Sequence, residues 1–115
     1  MAKISRQLTV DSARSVAASG VTPPVDVSQY DGYSLQTVFS GLAASASGTA
    51  TIQTSLNGVN FSDYPASAQT FASGTDNLLW EVTQKFHTFV RLKFTTSATG
   101  TGTATTTFYA EKSED

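Results

Sequence analysis

His87 is the sole histidine of this 115-residue chain and there is no cysteine, so few groups could activate a nucleophile or hold a soft metal. One imidazole with carboxylates is a weak zinc set, and thiol catalysis, disulfides and thiolate metal sites are ruled out by composition. A serine triad would need His87 beside one of many ordinary serines with an aspartate behind it, and no G-x-S-x-G elbow supplies that context. His87 is instead expected at a strand entrance with its ring half in solvent. Asp26, Asp31, Asp63 and Asp76 stand in turn-like sequence, where a carboxylate commonly bonds the local backbone. Two of them with backbone carbonyls would suit calcium, a hard cation, although the turn role accounts for all four. Gly100-Thr101-Gly102 is a turn, because no helix follows to make it a phosphate loop. Neither an enzyme nor a bound cofactor is expected.

Aromatic rings are the other chemistry worth testing, since sugar-binding sandwiches use exposed rings as stacking platforms. Tyr30, Tyr33, Phe61, Tyr64, Phe71, Phe89 and Tyr109 are the candidates. Most are better placed in a core or an interface, and Phe61 is the one expected to be half exposed.

The clearest folding instruction around these residues is Thr49 to Tyr64, TATIQTSLNGVNFSDY. Asn57-Gly58 sits between two alternating runs and predicts a hairpin closed by a two-residue type I′ turn, which needs positive φ at both central residues. Ala50, Ile52, Thr54 and Leu56 share one face, and Val59 and Phe61 continue the period beyond the turn. Lys3 to Val10 alternates with Arg6 interrupting its apolar side, the pattern of an edge strand guarded by charge. Ser12 to Ser19 fits a short helical turn or a strand. Gly20 and Pro23-Pro24 force an extended link, and Val25 and Val27 resume a short strand. Tyr33 to Ser40 is a central strand and Leu42 to Gly48 a flexible loop. Short strands follow at Gln69 to Phe71 and at Asn77 to Val82, which carries the only tryptophan, Trp80, toward the core. Lys85 to Thr95 is the next, amphipathic strand, with Val90, Leu92 and Phe94 on one face and Phe89, Arg91 and Lys93 on the other, and Thr103 to Ala110 forms the last.

About eight short strands with no helix predict an all-β fold, an antiparallel, jelly-roll-like β-sandwich. A parallel sheet lacks its crossover helices. By length this is one domain. Residues 1–24 read as an N-terminal strand or arm with its Pro-containing connection, 25–112 as the sandwich, and 113–115 as a frayed tail. No apolar run approaches the ~20 residues that span a bilayer, and MAKISRQLTVDSAR lacks the apolar stretch of a secretory signal. Membrane association is therefore not expected.

Charge carries the most informative pattern. Charged residues are only 14% of the chain and the net charge is −2, so a phosphate-backbone partner is a poor match and nucleic acid is not expected. Between Asp31 and Asp63, and again from Phe94 to Ala110, there is no charged residue at all. Strands in these spans expose faces that charge does not defend, and interface centres are depleted of charge. Such a face is expected to be covered by another copy or another protein. Lys3, Arg6 and Arg14 against Asp11 make the N-terminal end locally positive, suited to an acidic partner surface.

Three runs, SLQTVFSG, GTATIQTSLNGVNFSDYP and LLWEVTQKFHTFVRLKFTTSATGTGTATTTFYAEK, together resemble small β-sandwich proteins of tailed-bacteriophage structural modules. The resemblance rests on Asn57, Gly58, Asn60 and Phe61 in the hairpin, with Phe where Trp is usual. Trp80 and Val82 carry it in the next motif, then Phe89, Val90, Arg91, Leu92 and Phe94. It covers about residues 33–112 and implies a non-enzymatic virion component, a capsid decoration (cement) or head-tail accessory protein assembled in the host cytoplasm. The implied partners are itself, as a homo-oligomer such as a trimer, and a major capsid or tail protein. The candidate interface residues are Lys3, Arg6, Arg14, Asn57, Gly58, Asn60 and Phe61. The hairpin and V-R-L motifs are also similar to discoidin-like carbohydrate-binding sandwiches. The alternative is thus a glycan-binding module used in host attachment.

Overall fold

The computed structural model describes residues 2–83, 86–96 and 101–114, the side chains of 2–4 and 113–114 aside. Its strands are β1 (Ala2–Ser15), β2 (Gly20–Val21), β3 (Val25–Asp26), β4 (Tyr33–Ser40), β5 (Ser47–Ser55), β6 (Ser62–Asp63), β7 (Gln69–Ala72), β8 (Asn77–Val82), β9 (Phe89–Thr96) and β10 (Thr103–Glu114). Alternation decides which face each presents. β4 turns Tyr33, Leu35, Thr37 and Phe39 inward, β8 Leu78, Trp80 and Val82, β9 Val90, Leu92 and Phe94, and β10 Ala104, Thr106, Phe108 and Ala110. With Ile52 and Phe71 they form one core between two sheets. Each large apolar side chain buried there is worth about 1.5–3 kcal/mol.

All strand pairs are antiparallel. One sheet runs β1-β10-β4-β8; in the other β9 and β5 pair centrally, with β2 and β3 along β9 and β6 and β7 along β5. The ten strands of the described residues fill eight positions, the two four-position sheets of a jelly roll. The excess over the expected eight arises because two strands are interrupted. Pro23-Pro24 breaks the first. There the backbone of Thr22 donates to the Leu92 carbonyl at 2.9 Å while its hydroxyl accepts from Leu92 N, also at 2.9 Å. Pro65 and the positive φ of Ala66 (59°) break the second, where the Ser67 hydroxyl accepts from Ile52 N at 3.1 Å and donates to the Tyr64 carbonyl at 2.7 Å. A hydroxyl thus replaces the missing ladder contact at each break.

One open alternative is decided in favour of strand, and two local expectations are corrected. Residues 12–15 belong to β1, whose register shifts between Thr9 and Asp11 and between Asp11 and Arg14, with Ala13 at φ 51°. Ser47 and Gly48, assigned by composition to the flexible loop, open β5 and pair with Ala72 and Phe71. Ser113 and Glu114 continue β10 opposite Lys3 and Ala2, rather than fraying. Ser47, Gly48, Ser113 and Glu114 could not be placed by hydropathy alone because their pairing with a distant strand decides them.

Candidate functional site

The hairpin is present but its turn differs from expectation. Pairing of β5 with β6 ends at Thr54↔Ser62, so residues 55–61 make the connection. Gly58 has φ 76°, whereas Asn57 is not among the positive-φ residues, which excludes a type I′ turn. Asn57 instead organises a wider loop: its Oδ1 accepts from Val59 N and Asn60 N at 2.9 Å each and from the Ser55 hydroxyl at 3.0 Å, and its Nδ2 donates to Asn60 Oδ1 at 3.0 Å. This is local side-chain capping of a turn, the chemistry at which asparagine excels.

The loop folds onto the outer side of β9. A Cβ on Gly58 would stand 3.1 Å from the Phe89 ring, so only glycine lets the loop lie that close at that φ. Phe61 is half-buried, and the Arg91 guanidinium lies 4.0 Å from its ring centroid. Arg91 Nε donates to Gln53 Oε1 at 2.9 Å, and Gln53 Nε2 donates to Asp63 Oδ1 at 3.0 Å. The ring of Phe61 is therefore taken up by its own chain.

The residue the sequence did not single out is Phe86, 94% exposed, with Leu56 (73%) and Val59 exposed nearby in the chain's hairpin. Phe86 is in phase with Val90, Leu92 and Phe94, which points it inward on a strand. β9 begins only at Phe89, however, and ahead of it the parity is reversed, so His87 enters the core and Phe86 leaves it. His87 is accordingly buried, not half solvated. The Tyr33 hydroxyl and His87 Nε2 share a hydrogen bond of 2.8 Å, and the Tyr33 and Tyr64 rings meet the imidazole edge-on at 5.6 and 5.7 Å. A cleft of about 450 Å³ separates Phe86 from the hairpin, with Thr54, Asn60 and Ser62 among its walls.

Burial, then the adjacent Tyr64 phenol, raise the Tyr33 pKa well above its ordinary 10.0. The folded chain keeps this proton where the unfolded chain begins to release it. The resulting stabilisation is complete below about pH 10 and is lost as pH climbs further, by up to about 1.4 kcal/mol per pH unit. Tyr33→Phe is expected to flatten that alkaline slope in urea titrations while costing about 1–2 kcal/mol at neutral pH through the lost hydrogen bond. A slope that the substitution leaves untouched would assign it to other groups.

The second candidate surface is the outer face of the β1-β10-β4-β8 sheet. Register puts Val38 beside Thr105 and Asn77, Gln36 beside Thr107 and Leu79, and Ser34 beside Tyr109 and Glu81. Val38 and Leu79 are each 49% exposed, and Glu81 is the one charged residue of these three rows. At the rim the Tyr109 hydroxyl donates to Glu111 Oε2 at 2.8 Å.

The expected basic residues separate. Arg14 Nε bonds the Asp11 carboxylate and its Nη2 donates to the Val21 carbonyl at 2.6 Å, so it ties β1 to β2. Arg6 is exposed on β1 opposite Ala110, and Lys3 lies opposite Ser113, its side chain outside the described residues. Asp26 Oδ1 accepts from Ser28 N at 2.9 Å, a turn role. No cluster of three or more His, Asp or Glu suited to a metal occurs among the described residues. Of the aromatic candidates, Tyr30, Tyr33 and Phe71 are core, Tyr64 and Phe89 are half-buried, and Tyr109 is exposed.

No protein-family model matches the chain, and no curated protein matches it in sequence. Solved structures share its fold. The SPBc2 prophage-derived protein YomS superposes with a TM-score of 0.68 at 9% identity, covering 97% of this chain and 96% of that one. VP2 of the infectious bursal disease virus subviral particle gives 0.57 at 14% identity, over 96% of this chain and 33% of that one. A chain of the infectious bursal disease virus Gx strain gives 0.56 at 14%, over 96% and 32%.

Proposed function

We propose that the chain is a non-enzymatic structural component of a phage particle, which it decorates or stabilises through contacts with its own copies and with a capsid or tail protein. The observation that carries this reading is the outer face of β10, β4 and β8, where Val38, Leu79 and Tyr109 lie exposed among amides and hydroxyls, with Glu81 the one charged residue of their three rows. A sheet face of this composition is what the centre of a subunit interface requires. The fold shared with a prophage-derived protein and with part of VP2 in a subviral particle supports it. Beyond Ala110, where pairing with β4 ends, β10 and β1 continue as a two-stranded ribbon whose charged residues are Lys3, Lys112, Glu111, Glu114 and, at its root, Arg6, the lysines and arginine being its proposed contacts. This ribbon reaches an acidic surface of the partner.

Sedimentation of the full chain at micromolar concentration is expected to show an oligomer such as a trimer, and Val38→Lys with Leu79→Lys to return it to monomer without changing the melting temperature. A clean monomer of the unsubstituted chain sinks the self-association. Because β1 is an integral strand of the sheet, the arm is tested by Lys3→Glu with Arg6→Glu, not by deletion. Co-sedimentation with empty capsids should fall with that pair, and no binding by the intact chain would undo the decoration role.

A further inference from the structure

We infer that the cleft between the hairpin and Phe86 is a subsite for a neutral sugar ring. This is a ligand-binding function separate from the particle contacts: Thr54 and Ser62 belong to β5 and β6, whereas Val38, Leu79 and Tyr109 belong to β4, β8 and β10 of the other sheet. It is a depression of about 450 Å³, wide open to solvent, which suits the partial cover of a weakly held ring and not the enclosure of a whole ligand. One wall is the Phe86 ring, 94% exposed and lacking any polar atom of its own. The facing side supplies hydroxyls and an amide: Thr54, Ser62 and Asn60. Among the described residues the Thr54 and Ser62 hydroxyls and Asn60 Nδ2 make no hydrogen bond within the protein, while Asn57 holds Asn60 in place through Nδ2. No charged side chain lines the cleft among the described residues.

These features select for one ligand chemistry. A flat, apolar ring with nothing stacked on it matches the C–H face of a pyranose, and neutral donors and acceptors opposite it match ring hydroxyls. A purely apolar protein segment would strand the Thr54, Asn60 and Ser62 groups without partners, a cost that a hydroxylated ligand avoids. The loop that presents them is braced by Asn57 and by Gly58 against Phe89, so part of the ordering cost is met before binding.

The test is a heteronuclear NMR titration of the full chain with methyl α-D-glucopyranoside, maltotriose, cellotriose and acetylated chitotriose. At least one probe is expected to give saturable shifts confined to Thr54, Leu56, Asn60, Ser62 and Phe86, with a Kd near 1 mM. A trisaccharide binding more tightly than the monosaccharide identifies a polymer as the source, and equal binding identifies a free sugar. Phe86 is solvent-exposed, so its variants are expected to fold. Phe86→Ala and Phe86→Leu should weaken binding about tenfold or more and Phe86→Tyr should retain it. The inference is overturned by the absence of saturable shifts at about 10 mM of every probe, by shifts elsewhere, or by full binding in Phe86→Leu. Concentration-dependent broadening at Leu56, Val59 and Phe86 without sugar, abolished by Phe86→Ala, would overturn it in favour of a protein-contact surface.

Discussion

Trp80→Ala is expected to lower folding stability by about 3–5 kcal/mol, a large share of the ~5–15 kcal/mol that holds a domain of this kind together. Trp80 is buried on β8, and its indole Nε1 donates to the Ser67 carbonyl at 2.6 Å. Ser67 is also the residue whose hydroxyl splices the gap between β6 and β7. The substitution therefore leaves a cavity and removes the clamp on an interrupted strand together. Trp80→Phe separates these effects, since it keeps most of the apolar volume but strands the carbonyl, at about 1–3 kcal/mol. Urea titrations followed by far-ultraviolet circular dichroism would measure both, the sole tryptophan being the residue removed. A midpoint unchanged in Trp80→Ala would show that this contact does not hold the sheets together.

Gly48→Val is expected to cost about 3 kcal/mol or more, at the severe end of overpacking in a filled core. Gly48 lies in β5 with β7 on one side and β9 on the other. A Cβ there would sit 2.4 Å from the Thr95 carbonyl oxygen and 2.7 Å from the Phe71 ring. The ring cannot swing away freely, because it stacks on Phe39 of the opposite sheet at 4.7 Å between centroids. Gly48→Ala should show a smaller loss of the same sign, whereas Gly41→Ala, with nothing within 4 Å, tests only the φ of +66°. Equal melting temperatures for the Gly48→Val and native chains would refute the steric account.

Gly48 and Gly58 also mark the limit of what local pattern conveys. Period-two alternation located β4, β8, β9 and β10, and it marked the buried face of β8 and β9, where one residue of slippage would have put Trp80 or Leu92 in water; β4 and β10, with apolar or threonine side chains on both faces, showed no such choice. The jelly-roll class followed from strand number and the lack of helices. Gly48 was assigned to a loop because small residues look alike whether they are mobile or squeezed between neighbours. The Asn57-Gly58 pair signalled a reversal of the chain correctly and its geometry wrongly. Asparagine's side chain bonded the backbone, where a type I′ turn would have used its positive φ. Phe86 and His87 exchanged places because the strand starts at Phe89 and not at Lys85, and a four-residue offset is invisible without β3 and β5 to pair against. Val27 N donating to Thr88 O, and Thr88 N to Ser55 O, fix that offset.

The pairing of β1 with β10 has a consequence for the order in which the molecule assembles. β10 is the inner neighbour of β1, and it also joins β1 to β4, yet it is the last strand formed along the chain. During synthesis the first strand has no partner until almost everything after it has emerged. Its exposed edge must survive unpaired through that interval, with Arg6, Asp11 and Arg14 and two register breaks guarding it against strangers. Closing so long a loop of chain for each pairing makes folding slow, on the millisecond-to-second scale of all-β topologies, and late. The sheet that is proposed to meet other subunits is completed only when β10 pairs with β1 and β4, so the surface for assembly does not exist before that pairing is made.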